Sequence, residues 1–182
     1  MRIISGTHKG RIIHPDKSFR ARPTTDIARE SLFNILVNNF DLESIRVLDL
    51  FSGTGSITYE FASRGCPQID LVEKNYYHYR FIKRMLGEMG FNQVKTWKTD
   101  VFTFIEHTPD QYDLIFADPP YDMPGIDTLP GLIEKHNLLA EDGWFILEHS
   151  KNLNFSAEPE FRMLRNYGSV HFSIFGQKKS EK

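Results

Sequence analysis

Val47-Leu48-Asp49-Leu50-Phe51-Ser52-Gly53-Thr54-Gly55, running straight into Ser56-Ile57-Thr58-Tyr59-Glu60-Phe61, decides the fold of this chain. An apolar run of strand length meets two glycines that let the backbone come close to a ligand, and a helical stretch then opens with unpaired N–H groups. A dinucleotide cradle would carry a third glycine where Thr58 stands, and a phosphate loop would end in Gly-Lys-Ser/Thr; the chain has neither. Working outward, residues 46–50, 69–72, 94–97, 112–117 and 144–147 read as strands. Amphipathic segments 55–64, 76–89, about 101–107 and 126–138 lie between them as helices. Repeated β-α units of this kind predict an α/β fold, a mostly parallel sheet with helices on both faces. Phe161 to Tyr167 and Ser169 to Phe175, split by Gly168, read as a closing antiparallel pair and bring the expected strand count to seven.

At 182 residues, 40% hydrophobic and with 15 Phe, the chain can bury one sizeable core. The expected organisation is a basic hairpin and linker over 1–24, then one domain over 25–182. The hairpin rests on the short β-branched runs Arg2-Ile3-Ile4 and Arg11-Ile12-Ile13 around Gly6 and Gly10, the linker on Pro15 and Pro23. Thr24 or Thr25 can cap a following helix in which Ala28, Leu32, Ile35, Leu36 and Phe40 share a face. The single cysteine, Cys66, excludes a disulfide framework and reads as a packed small hydrophobe in a reducing compartment. No run approaches membrane-spanning length and no leader pattern is visible, so a cytoplasmic protein is expected. The seven histidines, at 8, 14, 78, 107, 136, 149 and 171, show no helical metal-ligand spacing, and no metal is expected.

Net charge is −2, but residues 1–24 carry +5 and the rest −7. Such a basic arm suits a polyanion gripped at one edge, and equally suits a solvated tail.

Acids end three successive β-units: Asp49, Glu73 and Asp100. Carboxylates lined up at the strand ends fit a ligand with an amino group, ribose hydroxyls and an adenine amine better than a phosphate ester. The segment resembles the S-adenosylmethionine-binding methyltransferases of Rossmann-like fold. That resemblance implies Asp49 near the methionine ammonium, and Phe51, Ser52, Gly53 and Gly55 around methionine and ribose. It further implies Glu73, with Lys74 beside it, at the ribose hydroxyls, Asp100 and Val101 at the adenine, and S-adenosylhomocysteine as product.

Asp118-Pro119-Pro120-Tyr121, just past the fourth strand, resembles the signature of enzymes that methylate planar exocyclic amines. Such an amine is a poor nucleophile because its lone pair is delocalised into the ring, and hydrogen-bond acceptors localise it. Asp118 can accept one amine hydrogen and a main-chain carbonyl of Pro119-Pro120 another, while the prolines hold both out of helical geometry and Tyr121 stacks on the base. Whether Asp118 removes a proton or only polarises the amine stays open. The base must be unpaired or flipped to arrive.

The motif alone serves adenine N6, cytosine N4 and guanine N2. Residues 2–11, with Arg22-Pro23-Thr24-Thr25-Asp26-Ile27-Ala28-Arg29-Glu30-Ser31-Leu32-Phe33-Asn34-Ile35-Leu36, closely resemble the bacterial family that methylates guanine N2 in small-subunit (16S) ribosomal RNA, the guanine-966 type. The resemblance runs from Arg2 to about Glu148. It implies Arg22, Thr24 and Arg29 bordering the active site, with Lys9, Arg11 and Arg20 on phosphates, and a monomer acting on 16S rRNA within a small-subunit particle. Tyr121 departs from the phenylalanine often found there, and the tail past Phe175 is short. Glu148-His149-Ser150, at the fifth strand's end, reads equally as a group meeting the base edge or as a cap. The competing assignments are an adenine-N6 or cytosine-N4 DNA methyltransferase, for which the chain leaves little room for a sequence-reading region, and a non-catalytic RNA-binding assembly factor.

Overall fold

The computed structural model describes residues 1–15, 19 and 25–176. Its elements run α1 (Asp26–Val37), β1 (Arg46–Leu50), α2 (Ser56–Ser63), β2 (Gln68–Val72), α3 (Tyr76–Met89), β3 (Val94–Trp97), α4 (Val101–His107), β4 (Tyr112–Ala117), α5 (Leu129–Lys135), β5 (Leu139–His149), β6 (Phe161–Tyr167) and β7 (Val170–Phe175). The seven strands form one sheet in the order β3-β2-β1-β4-β5-β7-β6. β1 to β5 are mutually parallel, and β7 runs antiparallel between β5 and β6.

β1 and β4 have near-continuous burial because helices cover both faces of the sheet. One core lies under α1, α2 and α3 and includes Leu32, Phe33, Val47, Phe61, Ile82 and Phe116. The other lies under α4 and α5 and includes Leu48, Leu50, Ile105, Ile115, Ile133 and Phe145. Cys66 is fully buried with its Sγ 3.3 Å from the Ile45 carbonyl, and burial pushes the thiol up to about 11. Among the described residues no helix is long and apolar enough to cross a membrane.

Thr25 caps α1, its hydroxyl accepting from the Ala28 N–H at 3.2 Å. Two elements differ from the periodicity. β5 begins at Leu139, well before Trp144, because the exposed Glu141 and Asp142 carry no apolar signal while the backbone still pairs Leu139 with Tyr112. The expected helix 126–138 starts as a 3-10 turn at Ile126–Thr128 and stops at Lys135, with Pro130 in its first turn and Asn137 left-handed just beyond its end.

The N-terminal pair is a short antiparallel pairing centred on Arg2 and Ile12, with Ile13 N donating to the Met1 carbonyl (2.9 Å) and Ile3 N to the Arg11 carbonyl (3.0 Å). Ile3 and Ile13 bury their side chains in the core beneath α1 and α2. The intervening turn is bolted to the end of α2: the buried Glu60 carboxylate accepts from Ile4 N (2.9 Å) and Ser5 N (3.1 Å), and Ser63 accepts from Thr7 N through its carbonyl (2.7 Å) and from His8 N through its hydroxyl (3.0 Å). Gly6 is required there, since its φ is +81° and a Cβ would lie 1.8 Å from the Ser63 carbonyl oxygen.

Candidate active site

Strand order reverses between β1 and β4, so the loops leaving their carboxyl ends diverge and open a crevice. A cleft of about 820 Å3 lies there. It is lined by Asp49, Phe51, Ser52, Gly53, Glu73, Lys74, Asp100 and Val101 on one side and by Asp118, Pro119, Pro120, Tyr121 and Glu148 on the other. The two motifs, far apart in sequence, thus face one cavity. Gly55 does not line it; it takes φ +79° as the N-cap of α2, and a Cβ there would meet the Tyr59 ring at 2.6 Å. Its contribution is the turn itself. Phe51 is left-handed without being glycine (φ 59°), which places about 1 kcal/mol or more of backbone strain in the loop.

Asp49 is 1% exposed and accepts the Thr58 hydroxyl at 2.6 Å. Burial pushes its carboxyl up to about 7, against the Thr58 and Ser52 hydrogen bonds that lower it. A desolvated carboxylate at the floor of a cleft suits a cationic ligand group, which would restore its charge. The proton linkage follows. Between the unfolded value near 4 and the folded value near 7 the native state binds the extra proton, so stability falls as pH rises through that window and is lowest above about 7. Asp49→Asn should therefore stabilise the ligand-free protein most above pH 7, by about 2 kcal/mol or more, and little near pH 4; thermal unfolding across pH 4–8 checks this.

Glu73 spends both oxygens on the backbone: Oε2 accepts from Gly53 N at 2.8 Å and Oε1 from Asn75 N at 2.6 Å. It braces the glycine loop against the start of α3, and the residue lines the cleft. Asp100 caps α4 through Phe102 N (3.0 Å) and pairs with Lys74 Nζ at 3.0 Å. Burial raises its carboxyl, but Lys74 and the helix N–H groups outweigh this and hold it below the usual carboxylate range. Lys74 therefore reaches across the rim to Asp100, a contact its place beside Glu73 did not suggest.

On the other side the Pro120 carbonyl accepts from Met123 N at 2.9 Å, which closes the turn after the motif. Every peptide bond in the described residues is trans. Tyr121 is half-exposed and its hydroxyl donates to Glu148 Oε1 at 3.1 Å. His149, adjacent, turns into the β5–β7 side: its Nε2 lies 2.8 Å from Ser173 Oγ and its Nδ1 2.8 Å from Ser150 O, and burial depresses its pKa. Glu148 faces the cleft; His149 is structural. Among the described residues no group of His, Cys, Asp and Glu comes together as a metal site.

The cations separate. Lys9 is exposed, and Arg11 is exposed with a loose pair to Glu88 at 3.7 Å. Arg20, Arg22 and Thr24 lie outside the described residues. Arg29, expected on the RNA side, is only 1% exposed; its Nη2 donates to the Arg2 carbonyl (2.6 Å) and to Asp26 (2.8 Å). Its helix face points inward, so it fixes the arm instead of offering charge to solvent. Glu60 was missed altogether, although a lone acid within the wholly buried Ile57–Ser63 stretch is a signal for a buried partner.

The chain is similar to known proteins. The chain is 31% identical over 157 residues to the YlbH protein of Bacillus subtilis, covering 84% of each. It is 29% identical over 145 residues to the Ribosomal RNA small subunit methyltransferase D of Escherichia coli K12, covering 79% of this chain and 69% of that protein. A solved hypothetical protein from Thermus thermophilus superposes with a TM-score of 0.85 at 27% identity, over 96% of this chain and 98% of that one. Residues 1–176 match the family model described as conserved hypothetical protein 95, and the chain belongs to that family.

Proposed function

We propose that this protein transfers a methyl group from S-adenosylmethionine to the exocyclic N2 amine of a guanine in 16S ribosomal RNA, acting as a monomer in the cytoplasm on a small-subunit particle. The observation that carries the reading is the shared cleft in which the Asp49-to-Gly53 turn and the Asp118-to-Tyr121 turn meet. Relatives named Ribosomal RNA small subunit methyltransferase D, in Escherichia coli and in Buchnera aphidicola, support the substrate.

The residues present fit the cofactor. Asp49 is a buried carboxylate in need of a cation, Glu73 and Gly53 form a polar wall suited to ribose hydroxyls, and Val101 gives an apolar surface for a purine. The cofactor supplies an electrophilic methyl on a sulfonium. Opposite it, Asp118 accepts one hydrogen of the target amine. The second acceptor is a main-chain carbonyl of the Pro119-Pro120 segment, of which the Pro120 carbonyl already accepts from Met123 N at 2.9 Å and keeps one lone pair. With both hydrogens held, the amine's lone pair would be localised on nitrogen instead of spread into the ring, ready for methylation by the bound cofactor, and Asp118 or water would take the proton that the methylated amine gives up. Tyr121, half-exposed beside this point, stacks on the extruded base.

Incubating labelled cofactor with small-subunit particles from cells lacking this modification should give N2-methylguanosine on nucleoside analysis. Product found only in DNA overturns the reading. Lys9→Glu with Arg11→Glu should weaken RNA binding and reduce the slope of log affinity against log salt by about 2, with cofactor affinity unchanged, as titrations at several salt concentrations will check.

A further inference from the structure

We infer that Glu148 is the specificity-determining residue for guanine, accepting the N1–H of the target base beside the amine held by Asp118. The inference rests on the guanine reading above and assigns the group that recognises the base. β4 and β5 are parallel neighbours with Ala117 paired to Leu147, and Asp118 and Glu148 are the residues that follow this pair on two strands about 5 Å apart. Both line the cleft. Guanine presents the N1–H and the N2 amine as neighbouring donors on one edge, and a pair of carboxylates at adjacent strand ends is the complementary set of acceptors. Adenine offers an acceptor at N1, and would set a lone pair against a carboxylate.

Glu148 is suited to this by its surroundings. It is 3% exposed and lines the cleft, so its carboxylate is held in place by its neighbours while it forms part of the cavity wall. The Tyr121 hydroxyl donates to Oε1 and orients the group, while a carboxylate has about four lone-pair sites and so retains capacity for a base N–H. Tyr121 thereby has two parts: its ring stacks on the base and its hydroxyl aims the acceptor that reads the base. Behind Glu148, Phe172 of β7 is its register partner, so the backbone position is fixed by the sheet rather than by a loop.

The test uses 2,6-diaminopurine, which keeps the N2 amine but has a bare acceptor at N1. Synthetic target RNA carrying guanine or 2,6-diaminopurine at the methylated position, assembled into particles, is offered to the full-length wild type, Glu148→Gln and Tyr121→Phe, and the N2-methylated nucleosides are quantified. Wild type should prefer guanine by about 100-fold or more in kcat/KM. In Glu148→Gln, whose amide can turn a donor toward N1, the preference should fall by about tenfold or more with cofactor affinity retained. Tyr121→Phe, which keeps the ring, should lower the preference by a smaller factor through KM for the RNA. An unchanged preference in a folded, cofactor-binding Glu148→Gln overturns the inference; so does an unchanged preference in Tyr121→Phe should Glu148→Gln not fold. Wild type giving no N2-methylguanosine overturns the guanine reading itself, a distinct result.

Discussion

Asp118→Ala is expected to leave cofactor binding intact and to reduce methyl transfer by about 10³-fold or more. Asp118 follows the end of β4, apart from the Asp49–Gly53 turn proposed to hold the cofactor, so its removal should lower kcat rather than cofactor affinity. Asp118→Asn separates two mechanisms. Its amide oxygen still accepts a hydrogen bond but cannot take a proton at neutral pH, so activity within about tenfold of wild type would mean that localising the lone pair suffices. Activity as low as the alanine variant would mean that proton removal belongs to the rate-limiting step. Single-turnover transfer with saturating cofactor, alongside calorimetric cofactor binding, gives both quantities. Full activity in Asp118→Ala would refute the polarisation argument whatever the substrate.

Glu60→Ala carries the largest expected loss of stability. The residue is fully buried, accepts from the backbones of Ile4 and Ser5, and pairs with Arg64 at 2.8 Å. Its removal strands two backbone donors and a largely buried guanidinium, a cost of about 3–5 kcal/mol. For a chain of this length that corresponds to a fall in melting temperature of about 6–15 °C. Hydrogen exchange should locate the change: amides of residues 1–13 should lose protection together. A loss under about 1 kcal/mol would mean that the N-terminal segment is a tail resting on the body.

The difference between Asp118 and Glu60 shows what one sequence can reveal. Proline and glycine impose backbone geometry through their own covalent structure, so the turns at Asp118 and at Gly53–Gly55 were legible, as was the alternation that gives β1 to β4. Contacts between distant residues leave no such local mark. The family resemblance placed Arg29 at the border of the active site, but its burial goes with a bond to the Arg2 carbonyl, which arrives from another segment. Tyr121 and Glu148 each read plausibly alone, and their hydrogen bond appears only once β4 and β5 are neighbours. Glu73 read as a ribose acceptor because it ends a strand; its bond to Asn75 is local, and its bond to Gly53 appears only once β1 and β2 lie side by side. β5 was underestimated because main-chain pairing at Leu139 requires no apolar side chain.

The position of β7 between β5 and β6 has a consequence for synthesis. The edge of β5 that carries Phe145 to His149 has no neighbour until Val170–Phe175 emerges, because the chain first makes β6, which occupies the outer edge. A nascent chain therefore holds a bare hydrophobic strand edge beside the cleft until Val170–Phe175 is made and inserts between β5 and β6.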